Sequence, residues 1–389
     1  MLGYLLARAG VEVCVLEKHA DFLRDFRGDT IHPSTLEVMF ELGILDAFLK
    51  RPHQEAPQLK GMIGDTELVV ADFAHVPAHC HFIALMPQWE FLNFIVEEAR
   101  RYATFHLKTK AEVTDLIEED GRICGVRGIC SNEPLEIRAT LVVGADGRHS
   151  RVRAAAGLKV DDFGAPIDVL WFRVSRRPDD PSLPFGRIDQ GKIMVLIDRG
   201  DYWQCGFVIA KGAFEEIKRK GIDQFRAMIS ELALFLKDRV HELRTWDDIK
   251  LLTVKVDRLR QWYRTGLVCI GDAAHAMSPV GGVGINLAIQ DAVASANILA
   301  EPLGNGSLTN HHLEKIQRRR EFPAMLTQKF QIAIQNRVIG RVLASTGKAK
   351  LPWQLQLLKR WAFLRRIPAR LIGIGVRPEH VRTPIVGGA

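Results

Sequence analysis

The residues most able to do chemistry in this 389-residue chain are Gly271 and Asp272, which follow the apolar run Leu267 to Ile270. An ionised Asp accepts hydrogen bonds and cannot donate them. A strand that delivers Asp272 to a tight turn therefore suits sugar or polyol hydroxyls. Pro279, Gly281, Gly282 and Gly284 follow, in a loop running into an apolar, helix-like segment that opens near Asn286. The first N–H groups of a helix lack intrahelical partners and sit at the positive end of its dipole, so this loop suits electron-rich oxygen or phosphate. Glu17 closes the apolar run Val11 to Leu16. In a dinucleotide-binding fold, an acidic residue ending the second strand accepts hydrogen bonds from ribose hydroxyls. Asp146-Gly147 ends the apolar run that leads to Gly144. Each feature alone also fits a bland role: a strand-loop-helix corner, a solvated strand-end carboxylate, an Asx turn.

Together they are more specific. Gly271, Asp272, Ala273, Ala274, His275, Pro279, Gly281, Gly284, Asn286 and Asp291 stand in an order and spacing that resembles the second flavin fingerprint of the FAD-dependent aromatic hydroxylases. These are the para-hydroxybenzoate hydroxylase-like, group A flavoprotein monooxygenases. The stretch TLVVGADGRHSRVR, Thr140 to Arg153, resembles the third signature of the same family.

The resemblance implies a set of roles. Gly271 and Asp272 would hold the ribityl chain of FAD, and Glu17 the adenosine ribose. Pro279, Gly281, Gly282, Gly284 and Asn286 would lie by the flavin ring at its pyrimidine edge. Asp146-Gly147 would serve both FAD and the co-substrate, NADPH or NADH. Arg27 would contact the cofactor, Gln88 the flavin, and the backbone at Val113 would pass the adenine. The activity implied is hydroxylation of an aromatic or polyketide-like small molecule by O2 through a flavin C4a-hydroperoxide. No substrate-activating residue is assigned; Tyr202, His75, His79 and His81 are the groups able to take a phenolic proton. Two alternatives stay open: a flavin-dependent reductase or dehydrogenase on the same fold, and a non-catalytic homologue that no longer retains FAD.

The elements that must position these residues read as α/β. The expected fold is a Rossmann-like FAD-binding domain in two parts (1–165 and 258–305). An antiparallel-sheet substrate domain with helices is inserted (166–257), and a helical region follows (306–389). Leu2, Leu5, Leu6 and Ala9 make one helical face that stops at Gly10. The strand and G-x-G-x-x-G loop that precede such a helix in a dinucleotide fold are absent, which implies a truncated start or a lost pyrophosphate site. A helix is expected from Leu36 to about Leu42, capped by Ser34 or Thr35, and another from Trp89 to Arg101. Ala111 to Ile129 reads as a hairpin turning at Glu119-Asp120-Gly121. Asp168 to Ile209 reads as an antiparallel meander, with a helix from Ile222 to Leu236 after it.

Composition narrows the class. Hydrophobic residues are 47% and charged residues 25%, ordinary for a globular enzyme. The six cysteines, without C-x-x-C pairs, predict a reducing, cytoplasmic setting with no structural metal. A net charge of +7 suits anionic cofactors and substrates, and basic residues do not alternate with aromatics as in a nucleic-acid stacking platform. No run of about 18 apolar residues is evident, so no transmembrane segment is expected. The apolar, basic stretch 353–370 reads either as a docked helix with outward lysines and arginines or as weak peripheral contact with an anionic membrane. A homodimer is compatible with the sequence.

Overall fold

Helix α1 (Leu2–Arg8) ends two residues before Gly10, whose φ of +81° reverses the chain into strand β1 (Val13–Leu16). β1 pairs in parallel with β2 (Phe105–Lys108). β3 (Val142–Gly144) pairs in parallel with β4 (Leu267–Cys269), and β4 pairs with Tyr263–Arg264. β1 and β3 are both edge strands, so the nucleotide-type parallel sheet is present as two separate pieces. The computed structural model describes residues 1–23, 30–181, 186–345, 347–349 and 351–386.

Two long helices back these strands. α2 (Gly284–Gly304) and α3 (Asn310–Ile334) pack on each other, and α2 also packs on α1. Leu5, Val268, Ile270, Val293, Leu299 and Leu313 share one buried cluster that ties α1, β4, α2 and α3 together. Full burial of each such side chain contributes about 1.5–3 kcal/mol. One helix among the described residues, Val280–Gly304, is long and apolar enough to cross a membrane by length and composition alone. Most of it is buried inside the molecule, as expected for a core helix that is apolar on nearly every side.

The larger sheet has seven strands, in the order Lys250–Leu252, Ile167–Ser175, Tyr202–Ala210, Lys192–Asp198, Gly186–Asp189, Gln58–Ile63 and Thr66–Asp72. It differs from the expected meander in two ways. Ile167–Ser175 pairs with Tyr202–Ala210 rather than with Gly186–Asp189, the strand that follows it, so the connection skips two places in the sheet. Residues 58–72, well before the range expected for the substrate domain, supply two strands, one of them parallel to Gly186–Asp189. One face of this sheet (Phe172, Trp203, Phe207) packs on the helix Ile222–Leu232 and two 3-10 turns, where a continuous helix to Leu236 was expected. The other face carries Trp171, Val169 and Val208 towards Ile339 and Val342.

The hairpin reading holds. Ala111–Glu119 and Arg122–Cys130 join through Asp120 and Gly121, both at positive φ, and Glu133–Arg138 adds an unexpected third strand. The helix after Ile31 starts at Pro33, with His32 at its N-cap. Ser34 and Thr35 thus lie inside the first turn instead of capping it, because proline is preferred at the first helical position.

Candidate functional site

β3 and β4 run side by side in parallel, so the residues after them emerge at the same end of the sheet piece, the end where open α/β sheets bind ligands. Asp146-Gly147 follows β3, and Gly271-Asp272 follows β4. The two loops meet where Arg148 Nη2 lies 3.4 Å from Asp272 Oδ2. That contact is long, and the Asp272 side chain keeps 31% of its surface exposed, so its carboxylate can still accept hydrogen bonds. Gly271 cannot carry a side chain cheaply. Its φ is +58°, and a Cβ would stand 3.0 Å from the Ala288 methyl group on α2.

The Gly271 amide is held from behind. Its N–H donates to Asp291 Oδ2 at 3.0 Å, and His275 Nε2 lies 2.5 Å from the same oxygen. Arg320 Nε donates to Asp291 Oδ1 at 2.8 Å, while Arg320 Nη1 reaches Glu379 Oε1 at 3.2 Å. Asp291 and Arg320 are fully buried. Burial alone would push the Asp291 carboxyl up; the hydrogen-bonded His275 ring and the Arg320 guanidinium outweigh it and hold the group below the usual carboxylate range.

The glycine loop is pinned from two sides. Gly281 and Gly282 have φ values of +80° and +63°, and a Cβ on Gly282 would come within 2.3 Å of Thr30 Oγ1. Thr30 Oγ1 donates to the Gly282 carbonyl at 2.9 Å. Asn286 is buried and all its side-chain groups are engaged. Its Oδ1 accepts from His32 N and Thr35 Oγ1, and its Nδ2 donates to the Thr30 and Gly282 carbonyls. From α3, Gln331 Nε2 donates to the carbonyls of Ser278 and Val280, both at 2.9 Å. Gln335 Nε2 donates to Ser278 Oγ at 2.6 Å. α2 then begins at Gly284.

The remaining expected residues fall into place unevenly. Glu17 follows β1; its backbone bonds Lys108 and Ala111, and its Oε1 accepts from His19 N at 2.9 Å. Val113 is two residues beyond Ala111, and both Leu16 and Val113 pack on the cluster containing Val152, Ala273 and Met277. Gln88 is the first residue of the helix Gln88–Ala99. The Asp146 carboxylate is occupied by its own loop, accepting from Ser150 Oγ and from Val152 N. Pro279 opens the 3-10 turn Val280–Gly282. Arg27 lies outside the described residues. Of the proton acceptors, His75 and His81 are on the surface and His79 pairs with Glu37, also at the surface.

This arrangement fits FAD on the donor set alone: an available carboxylate at Asp272, open space where a Cβ on Gly147 (φ +84°) would stand, and a helix N-terminus behind glycines. Among the described residues, no cluster of three or more His, Cys, Asp or Glu is placed to hold a metal. Residues 1–329 match the family model described as FAD binding domain. The chain belongs to this family.

Relatives within reach of the family include 6-methylpretetramide 4-monooxygenase of Streptomyces rimosus. It is 29% identical over 395 residues, covering 99% of this chain and 91% of the relative. The solved anhydrotetracycline hydroxylase OxyS of Streptomyces rimosus superposes with a TM-score of 0.73 at 19% identity, covering 97% of this chain and 74% of that one. PqsL of Pseudomonas aeruginosa gives a TM-score of 0.73 at 21% identity, covering 88% and 94%. At these identities the solved structures establish the FAD-binding fold.

Arg153 stands in the third signature, but its partners and the buried residues of the C-terminal helices carry no strong signal in the sequence. Arg153 donates to Asp257 through both terminal nitrogens, at 3.2 and 3.3 Å, and to the Ala273 carbonyl, joining the third signature to the second fingerprint. Arg320 and Glu379 sit 29 and 88 residues beyond Asp291, whose 0% exposure shows what they support. Gln328, Gln331 and Gln335 fall on one helical face, and that spacing was the only available hint.

Proposed function

We propose that this chain is an FAD-dependent monooxygenase that uses NADPH or NADH and O2 to place one oxygen atom on an electron-rich aromatic small molecule. The observation that carries the reading is Asp272, presented with its carboxylate available beside a glycine loop that opens α2. The names of the relatives favour a fused-ring aromatic polyketide as the substrate class.

The residues divide the work. Asp272 accepts hydrogen bonds from the ribityl hydroxyls, and Glu17 from the adenosine ribose. Gln88, Val113, Asp146-Gly147 and Arg27 complete the cofactor contacts. The loop from Gly281 to Asn286 would hold the pyrimidine edge of the ring, where the α2 dipole favours negative charge. Bound FAD supplies the electron transfer from nicotinamide to O2 and the oxygen that reaches the substrate. The apolar sheet face bearing Trp171, which lies across Gly206 on the neighbouring strand, is the wall for a flat ring and excludes water.

Incubation of the purified protein with FAD, NADPH, 18O2 and a panel of fused-ring phenols tests this. One 18O atom per product molecule is expected. NADPH oxidation with substrate reduction and no label would assign the chain to a flavin-dependent reductase instead.

A further inference from the structure

The helix α4 (Arg366–Gly373) packs Ala369, Ile372 and Gly373 inward and leaves other large apolar residues exposed. Ala369 and Gly373 are buried, and a Cβ on Gly373 would stand 3.1 Å from the Phe73 ring and 3.3 Å from Pro33 Cγ. On the outer side Ile367 is 60% exposed and Leu371 41%. Phe363 (60%) extends the same stripe one turn earlier, and Trp361 (47%) stacks on it with ring centroids 6.3 Å apart. A helix that only docks on a core buries its large apolar residues; this one packs Ile372 on the core and leaves Ile367 and Leu371 exposed.

The charge around the stripe has one sign. From Leu351 to Pro378 the chain carries Lys359, Arg360, Arg365, Arg366, Arg370 and Arg377, and no Asp or Glu. Arg365 closes the preceding helix, donating to the Leu358 and Lys359 carbonyls. Lys359, Arg360, Arg366 and Arg370 are exposed and form no ion pair among the described residues. Arg366 and Arg370, four residues apart, run beside Ile367 and Leu371.

We propose that Trp361 to Leu371 form a peripheral docking surface for an anionic lipid membrane. An apolar stripe flanked by unpaired cations, with aromatic rings at its end, fits the headgroup-acyl boundary. A second copy of the chain is a poor occupant, since a two-fold contact through the same patch would oppose cation to cation. The surface adjoins the site: the Ile372 carbonyl accepts from His32 Nδ1 at 2.8 Å, and Gly373 packs on Pro33. A membrane-bound α4 would therefore hold the neighbourhood of the glycine loop close to the bilayer. The inference stands independently of the cofactor and reaction proposed for that loop.

Flotation of the full chain with vesicles tests it, comparing phosphatidylcholine alone with phosphatidylcholine mixed with phosphatidylglycerol. Partition into the mixed vesicles should exceed that into neutral ones by about tenfold or more, and should fall as salt is raised. Arg366→Gln with Arg370→Gln should weaken it by about fivefold per charge removed. Phe363→Ser, Ile367→Ser and Leu371→Ser together should abolish it with all charges retained, and unchanged thermal melting would show that the fold survives. The proposal is overturned if the wild-type chain does not float with anionic vesicles, if its binding ignores salt, or if the apolar triple variant binds as well as wild type. It is equally overturned if the triple variant only dissolves a protein dimer.

Discussion

Asp291 shows how much one buried carboxylate can organise. It accepts from the Gly271 amide, His275 and Arg320 while fully withdrawn from water. Arg320→Met removes the buried guanidinium that Asp291 and Glu379 share, leaving Asp291 to His275 and Glu379 to the exposed Arg319. It should cost about 3–5 kcal/mol of unfolding free energy in urea; a loss below 1 kcal/mol would show that the pair is dispensable. His32 makes a second prediction. Burial lowers its imidazole from 6.5 to about 4, although the Ile372 carbonyl bonded to it pulls the other way. The unfolded chain takes up this proton below pH 6.5 and the folded chain only near 4. Stability from this group is therefore complete above 6.5 and lost as pH falls through that window, by up to about 3 kcal/mol. Over that range, wild type should lose more stability than His32→Gln, and parallel curves would refute the assignment. Asp272 and Asp291 were legible because they stand in one short motif. His32, Arg320 and Glu379 were not, since nothing in a sequence says that residues so far apart will share a buried cluster.

The elements act as clamps on the loops. α3 lays Gln328 and Gln331, and Gln335 at its C-cap, along the segment before the glycine loop, with Gln328 bonded to the Asp257 and Ala276 carbonyls and Gln335 to Ser278 Oγ. Gln331→Ala removes two bonds to backbone carbonyls and the acceptor for Ser278 N. The expected loss is about 1–3 kcal/mol, with faster hydrogen exchange confined to Ser278–Gly282. Exchange rising evenly across the molecule would point to general loosening instead. Helix and strand periods showed where most elements lie, from α1 to the Asp120-Gly121 hairpin. They did not show that the polar face of α3 is buried, because glutamines at helical spacing look the same on a wet face and a dry one. Nor did they show that Ile167–Ser175 pairs with Tyr202–Ala210, since strand order depends on long-range contacts that period two does not encode.

At the scale of the molecule, the two pieces of parallel sheet are held in register by shared clusters, not by strand pairing across β1 and β3. Leu16 of β1, together with Val113 of the neighbouring hairpin, packs on a core that holds Val142 of β3, Cys269 of β4 and Val152 of the helix Arg151–Ala155. Leu16 and Ala273, the chain neighbours of Glu17 and Asp272, pack on that one core although their strands belong to separate sheets. The family fold was readable from two motifs at a characteristic distance, while the edges of β1 and β3 emerge only in three dimensions. The central claim is that this end of the molecule holds FAD through Asp272. Titration of the purified full chain with FAD, followed by flavin fluorescence in wild type and Asp272→Ala, tests it most directly. The account predicts saturable one-to-one binding that weakens by about tenfold or more in the variant, the value of a charge-assisted hydrogen bond. Absence of saturable binding in wild type, or equal affinity in the two proteins, would contradict it.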